Sequence, residues 1–183
     1  MTMKRINSLL ITLFLTLLFT QSSIAKSTAE IEKDVNIAIE KFKQEIQGGE
    51  KFLSKVKGYL VLPSVIKGGF VVGGKYGEGA LRVNGKTKFY LSMSSASIGL
   101  QAGAQEYSMV IAFISESSLK NFYKSNGWEA GVDGSITVAE WGVSKDISSM
   151  SFEKPIVAFI YGEKGLMAGI SIAGTKFQRI TPE

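Results

Sequence analysis

KGYLVLPSVIKGGFVVGGKYGEGALRVNGKTKFYLSMSSASIGLQAGA, residues 57–104, decides the fold class. Its apolar and alternating runs are short, rich in Val, Ile, Phe and Tyr, and divided by Gly and Asn. That texture predicts strands at 59–62, 70–76, 80–83, 87–93 and 97–104, with another at 107–114 just beyond. Asn84-Gly85 between two of them marks a tight hairpin, because both central positions of such a turn need positive φ.

Working outward, the texture changes on either side. At 28–47, Ile31, Val35, Ala38, Ile39, Phe42 and Ile46 recur at spacings of three and four, while Glu30, Lys33, Asp34, Lys41 and Lys43 fall largely elsewhere. The spacing predicts an amphipathic helix, capped by Ser27 or Thr28 and ended by Gly48-Gly49. A short helix at 50–57 turns Phe52, Leu53 and Val56 inward and Lys51, Lys55 and Lys57 outward. Downstream, Ser115 caps a helix over 116–124 that stops at Asn126-Gly127, and strands are expected at 130–140, 155–161 and 166–173. The pattern is an α+β fold: an N-terminal amphipathic helix and a short internal helix packed on a mainly antiparallel sheet. No Pro/Ser-rich linker divides residues 26–183, which read as a single domain.

The first 25 residues read differently. Lys4-Arg5 precede an uncharged stretch whose strongly apolar part, LLITLFLTLLF at 9–19, is 11 residues long. Ser23-Ile24-Ala25 then puts small residues at −3 and −1 of a cleavage site before Lys26. This is the three-part layout of a secretory signal, too short for a membrane span of about 20 apolar residues. Residues 1–25 are therefore expected to be cleaved, which places the protein in the periplasm or outside the cell. Cleavage removes Lys4 and Arg5, so the formal net charge falls from +5 to +3 over the remaining 158 residues. A mildly basic domain suits an anionic membrane surface but falls short of a nucleic-acid footprint.

The chain has no Cys and no His. Disulfides, a lipidated N-terminal Cys, thiol nucleophiles, His-based triads and the usual zinc sites are thereby excluded. ALRVNGKT at 80–87 approaches a phosphate-binding loop, but its first glycine is Ala80, and Gly85-Lys86-Thr87 leads into a strand rather than a helix. Glu78, Glu106, Asp133 and Glu140 fall at strand ends or turns. Any catalysis would have to run on carboxylates, lysine, tyrosine or serine; a pair of these acids could do acid–base work, and no dense cation-ligand run accompanies them. No metal, cofactor or catalytic residue is expected. Glycines four apart (Gly73/Gly77, Gly99/Gly103, Gly127/Gly131, Gly165/Gly169) clear one face of a strand, which fits either a groove for an acyl chain or close packing of a strongly coiled sheet.

The basic residues carry more. Lys51, Lys55, Lys57 and Lys67 flank the first strand, and Lys75, Arg82, Lys86 and Lys88 surround the hairpin. Ammonium and guanidinium groups neutralise and hydrogen-bond the phosphates of lipid headgroups, so these eight are the candidate lipid-binding residues. An ordinary solvated surface carries the same residue types.

Several ordered motifs then point to a family. Gly58 with LVLPSVIKGGF (60–70), GGKYGEGAL (73–81), SIGLQAGAQ (97–105), GWEAGVDGS (127–135) and KGLMAGISIAGTKF (164–177) resemble the SYLF lipid-binding domain in its bacterial exported form, over residues 28–181. The resemblance implies a compact α+β domain with a central, strongly bent, barrel-like sheet. It also implies phospholipid binding, with phosphoinositides the ligands in eukaryotes and actin a partner in some fungal relatives. Eukaryotic members tend to carry Gly-Pro-x-Gly where this chain has Glu140-Trp141-Gly142-Val143, so their site details transfer poorly. In a bacterial envelope the corresponding ligands are glycerophospholipids such as phosphatidylglycerol or cardiolipin. The expectation is a non-enzymatic envelope protein peripheral to the membrane, with the helix at 28–47, Phe52 and Trp128 contacting acyl chains. The alternative is an interaction protein that pairs a sheet edge with another envelope protein.

Overall fold

The computed structural model describes residues 26–69, 72–98, 103–139, 146–149, 153–164 and 171–183. The expected signal segment, Glu140 and the Trp141–Val143 departure lie outside them. Three helices, α1 (Thr28–Glu45), α2 (Gly49–Lys55) and α3 (Glu116–Lys124), pack on one curled, mixed sheet. Its eight strands are β1 (Gly58–Gly69), β2 (Val72–Val83), β3 (Lys86–Ile98), β4 (Gly103–Phe113), β5 (Trp128–Glu129), β6 (Thr137–Val138), β7 (Ile156–Lys164) and β8 (Lys176–Ile180). Their order is β5-β8-β3-β2-β1-β4-β7-β6, antiparallel except for β6 beside β7. The α+β reading holds, helices on a strongly bent sheet included.

The spacing at 31, 35, 38, 39 and 42 forms α1 as expected, with a full capping box between Ser27 and Glu30 at its start. Its apolar stripe is buried against one sheet face, on Val61, Ala80, Val110, Ala112, Phe159 and Tyr161. Phe42 meets Phe159 and Tyr161 edge-on at 5.7 and 5.4 Å, and the Tyr161 hydroxyl donates to the Ala38 carbonyl at 2.8 Å. Phe52 is buried in the same layer. The opposite face carries the second core, where Leu60, Leu62, Val65, Leu81 and Met109 meet α3 and an aromatic cluster of Phe122, Trp128 and Phe177. Neither Phe52 nor Trp128, nor the apolar stripe of α1, is free for acyl chains: each of these apolar surfaces closes a core. The start of α1 adjoins the residues after β8, with the Thr28 N–H donating to the Glu183 carbonyl at 3.0 Å.

β1 lies between β2 and β4, yet it contains Pro63, which has no N–H for a ladder. A proline inside a central strand is tolerated at a bulge, and the register slips there on both sides: between Val61 and Ser64 against β2, and between Leu62 and Val65 against β4. The slip changes the phase of alternation. Leu60 and Leu62 face the α3 core, and the next residue to do so is Val65. Backbone crowding follows on β2, where a Cβ on Gly79 would lie 1.9 Å from the Val61 carbonyl oxygen. β7 carries its own slip against β4, with Gly162 at φ 63°. Bulges raise local twist, which suits the strong curl of this sheet.

The strands differ from expectation at several places, the first of them beside the bulge. Residues 72–76 and 80–83, expected in separate runs, belong to one strand, β2, whose alternation is interrupted by glycines that make room for β1, and residues 70 and 71 lie outside the described set. The stretch at 97–104 instead ends β3 and begins β4, and residues 99–102 lie outside the described set. Of the described residues 130–139, only Thr137–Val138 form a named strand; Gly131 to Asp133 form a turn, so Gly127/Gly131 line no strand face. Ser171 to Ala173 are not strand, and the final strand lies further on, at Lys176–Ile180.

Gly79→Ala should destabilise the protein by about 2–4 kcal/mol, as overpacking against fixed backbone does. Gly85→Ala, at φ 72° in open space, should cost about 1 kcal/mol from the turn conformation alone. Urea denaturation of the two variants checks the difference; equal losses would contradict the bulge account.

Candidate functional site

Past the bulges, the four central strands run on beyond both cores. On the face shared with α1, the alternation shifted by the bulge brings out Ile66, Val72 and Tyr76, which are 59, 68 and 52% exposed. Ile66 and Tyr76 are cross-strand partners. The Tyr76 hydroxyl donates to Glu78 at 2.6 Å, and desolvation with that bond pushes its pKa up to about 12. A cleft of about 370 Å³ separates this end from α1, with Ile37 and Lys41 on one wall and Pro63, Ser64 and Gly162 on the other. Two carboxylates face it: Asp34, ion-paired to Lys26 at 2.6 Å, and Glu106, accepting from the Ser64 hydroxyl at 2.9 Å.

On the opposite face, the register aligns one polar row across four strands: Ser95, Lys75, Lys67 and Gln105. Lys67 and Lys75 are direct partners. The Lys75 ammonium donates to the Ser171 carbonyl, and desolvation, then the neighbouring Lys67 charge, lowers its pKa. One row further in stand Gly77, Val65 and Tyr107.

The eight expected basic residues do not form one patch. Lys51, Lys55 and Lys57 lie at the start of β1, where Lys55 donates to the Ser148 carbonyl at 3.0 Å. The Ser148 hydrogen bonds, and then Lys51 and Lys55, hold the Asp146 carboxyl below its ordinary range. Lys86 and Lys88 are exposed just past the Asn84-Gly85 turn, beside this same end. Lys67 sits ten residues further along β1, roughly 33 Å away at strand rise, and only Lys75 accompanies it. Arg82 is a structural residue: buried, it pairs with Glu32 at 2.7 Å and donates to Asn36 at 2.7 Å. Thr87 and Tyr90 also donate to Glu32. These partners are 50 to 58 positions from Glu32 in sequence, so no local pattern announces the network. Of the other expected carboxylates, Asp133 is exposed and accepts from the Glu129 N–H at 2.7 Å.

Residues 94–181 match the family model described as Las17-binding protein actin regulator. The match is consistent with a SYLF-domain family protein. No curated protein matches the chain. The SYLF match begins on β3 and takes in Gln105 and Tyr107, whereas Lys67 and Lys75 precede it on strands of the same sheet.

Burial opposes ionisation of Glu32, but bonds from Thr87 and Tyr90 and the Arg82 charge outweigh it and hold its pKa below the ordinary 4.5. A depressed carboxylate contributes stability above its unfolded pKa and loses it as pH falls through the lower folded value. Glu32→Gln should therefore lower stability at pH 7 and flatten the loss on acidification below about pH 4.5, followed by thermal melts across pH. Arg82→Met should cost about 3 kcal/mol by stranding Glu32 and leave any lipid binding intact.

Proposed function

We propose that this protein is a non-enzymatic phospholipid-binding protein that docks on anionic membrane surfaces through the uncovered end of its sheet. The observation that carries the reading is the pairing, at one strand end, of exposed Ile66, Val72 and Tyr76 with Lys67 and Lys75 on the other face. A tip-first approach sets both at headgroup level, with apolar side chains in the interface and ammonium groups on phosphates. Burying each apolar side chain contributes about 1–2 kcal/mol, and each lysine about 1 kcal/mol beside an anionic leaflet. The sum gives reversible, salt-sensitive association. The family's association with lipid and actin-regulator binding supports the same reading, as does the mild positive charge. No described helix is long and apolar enough to cross a membrane.

The location belongs to the proposal too. Residues 1–25 act as a cleaved signal, and residues 26–183 work as one unit in the bacterial envelope, in the periplasm or secreted. An envelope protein partner paired through a sheet edge fits less well, because the described edge strands, β5 and β6, are two residues each, and short edges resist strand addition. Carboxylate-based hydrolysis has Asp34 and Glu106 in one cleft in its favour. Turnover of a phospholipid that Glu106→Gln abolishes and Ser64→Ala spares would displace the binding reading.

Sedimentation with vesicles tests the main proposal. The protein should pellet with phosphatidylglycerol vesicles at low salt, and much less with phosphatidylcholine or at high salt. The double variant Ile66→Ser/Tyr76→Ser should bind several-fold less at unchanged stability, since both positions are exposed. Charge reversal of Lys51, Lys55 and Lys57 together should do less than Lys67→Glu alone. Equal, negligible pelleting with both vesicle types would sink the reading.

A further inference from the structure

The face of the sheet end opposite α1 holds three unfavourable features within two adjacent rows. Lys67 and Lys75 are like charges placed directly across from each other, an arrangement that destabilises a strand pair. Gln105, next to Lys67 in the same row, has a buried side-chain oxygen with no hydrogen-bond partner. Tyr107, one row inward, is 1% exposed, and its hydroxyl is also unpartnered. Buried polar atoms are normally satisfied, and each one left alone costs about 1–3 kcal/mol. Gly73 and Gly77 flank Lys75 on its own face, and Gly69 partners Gly73. Along its own strand Lys75 therefore has no side chain on either side of it on this face, while Lys67 and Ser95 stand across from it and the Ser171 carbonyl accepts from its ammonium. Of the glycine pairs noted in the sequence, Gly73/Gly77 lies beside this row, while Gly99, Gly165 and Gly169 lie outside the described residues.

One kind of ligand relieves all three features at once. An anion between Lys67 and Lys75 turns their repulsion into two charge-assisted hydrogen bonds. Its oxygens accept from the Tyr107 hydroxyl, and a hydroxyl on the ligand donates to the Gln105 oxygen, which accepts only. Tetrahedral phosphate oxygens suit donors arriving from several directions. We propose that Lys67, Lys75, Gln105 and Tyr107 form a binding site for a phosphate ester that bears a free hydroxyl group. The site rests on the membrane reading for its natural ligand, a phospholipid headgroup, but free phosphate or a soluble ester offers the same chemistry.

Calorimetric titration of the full chain with glycerol 3-phosphate, inorganic phosphate and glycerol tests the site, with vesicle sedimentation run on the same variants. Glycerol 3-phosphate should bind in the millimolar range or tighter, weakened at least tenfold by Lys75→Met and several-fold by Tyr107→Phe, while glycerol should not bind. Tighter binding of the ester than of phosphate assigns the site to a headgroup; equal binding assigns it to free phosphate. Lys67→Met carries the same expectation if Lys75→Met does not fold. No phosphate binding by the parent protein, or binding indifferent to these substitutions, overturns the site, even if the protein still pellets with vesicles. Phosphate binding without any vesicle binding upholds the site and removes the membrane reading.

Discussion

A proline in the middle of a central strand sets the terms for the rest of this molecule. Pro63 cannot donate to a ladder, so β1 bulges around it, and both neighbours lose register at the same place. Before the bulge, alternation sends Val61 to the helix side and Leu62 to the α3 side; after it, Ser64 and Ile66 take the helix side and Val65 the other. Ile66 therefore reaches the surface on a face that β1 had been burying. Gly79 is the complementary requirement, since any side chain there would strike the bulged backbone. The sheet bends, α1 covers only the part before the bend, and the cleft opens where its cover ends.

The two ends of the sheet consequently do different work. Near the Asn84-Gly85 turn, Glu32 takes bonds from Arg82, Thr87 and Tyr90, and the helix above it is fully capped, although the buried Arg82 Nε has no partner. At the far end, charges of one sign face each other and buried oxygens go unanswered. Sequences that specify one fold tend to violate local consistency only where function requires it, and such violations need a stable framework beside them. The two aromatic-rich cores and the Glu32 network supply that framework.

How much of this was readable in the chain depended on range. The helices came through because 31, 35, 38, 39 and 42 form one stripe and Ser27 and Ser115 are local caps. Asn84-Gly85 marked its hairpin for the same reason. What failed was phase. Pro63 was visible, but without knowing that β1 is central nothing says whether it ends a strand or bulges one. Ile66, Val72 and Tyr76 thus read as ordinary strand residues, while Phe52 and Trp128, expected to contact acyl chains, belong to the cores. Arg82 looked like another surface cation because its partner Glu32 lies 50 residues away. The pairing of Lys67 with Lys75 is a matter of register, which composition does not contain.

The closeness of the start of α1 to Glu183 also bears on how the fold could be rewired. Thr28 and Glu183 share a backbone hydrogen bond, so the path from α1 to β8 is nearly a closed loop. A few residues of linker could join them, and new termini opened between Asn84 and Gly85, in an exposed turn, would leave every strand pairing in place. In that rearranged chain β3 would be made first and β2 last, while the bulge, the bend and the uncovered end would stay where they are. The architecture belongs to the arrangement of the strands and not to the order in which they are synthesised.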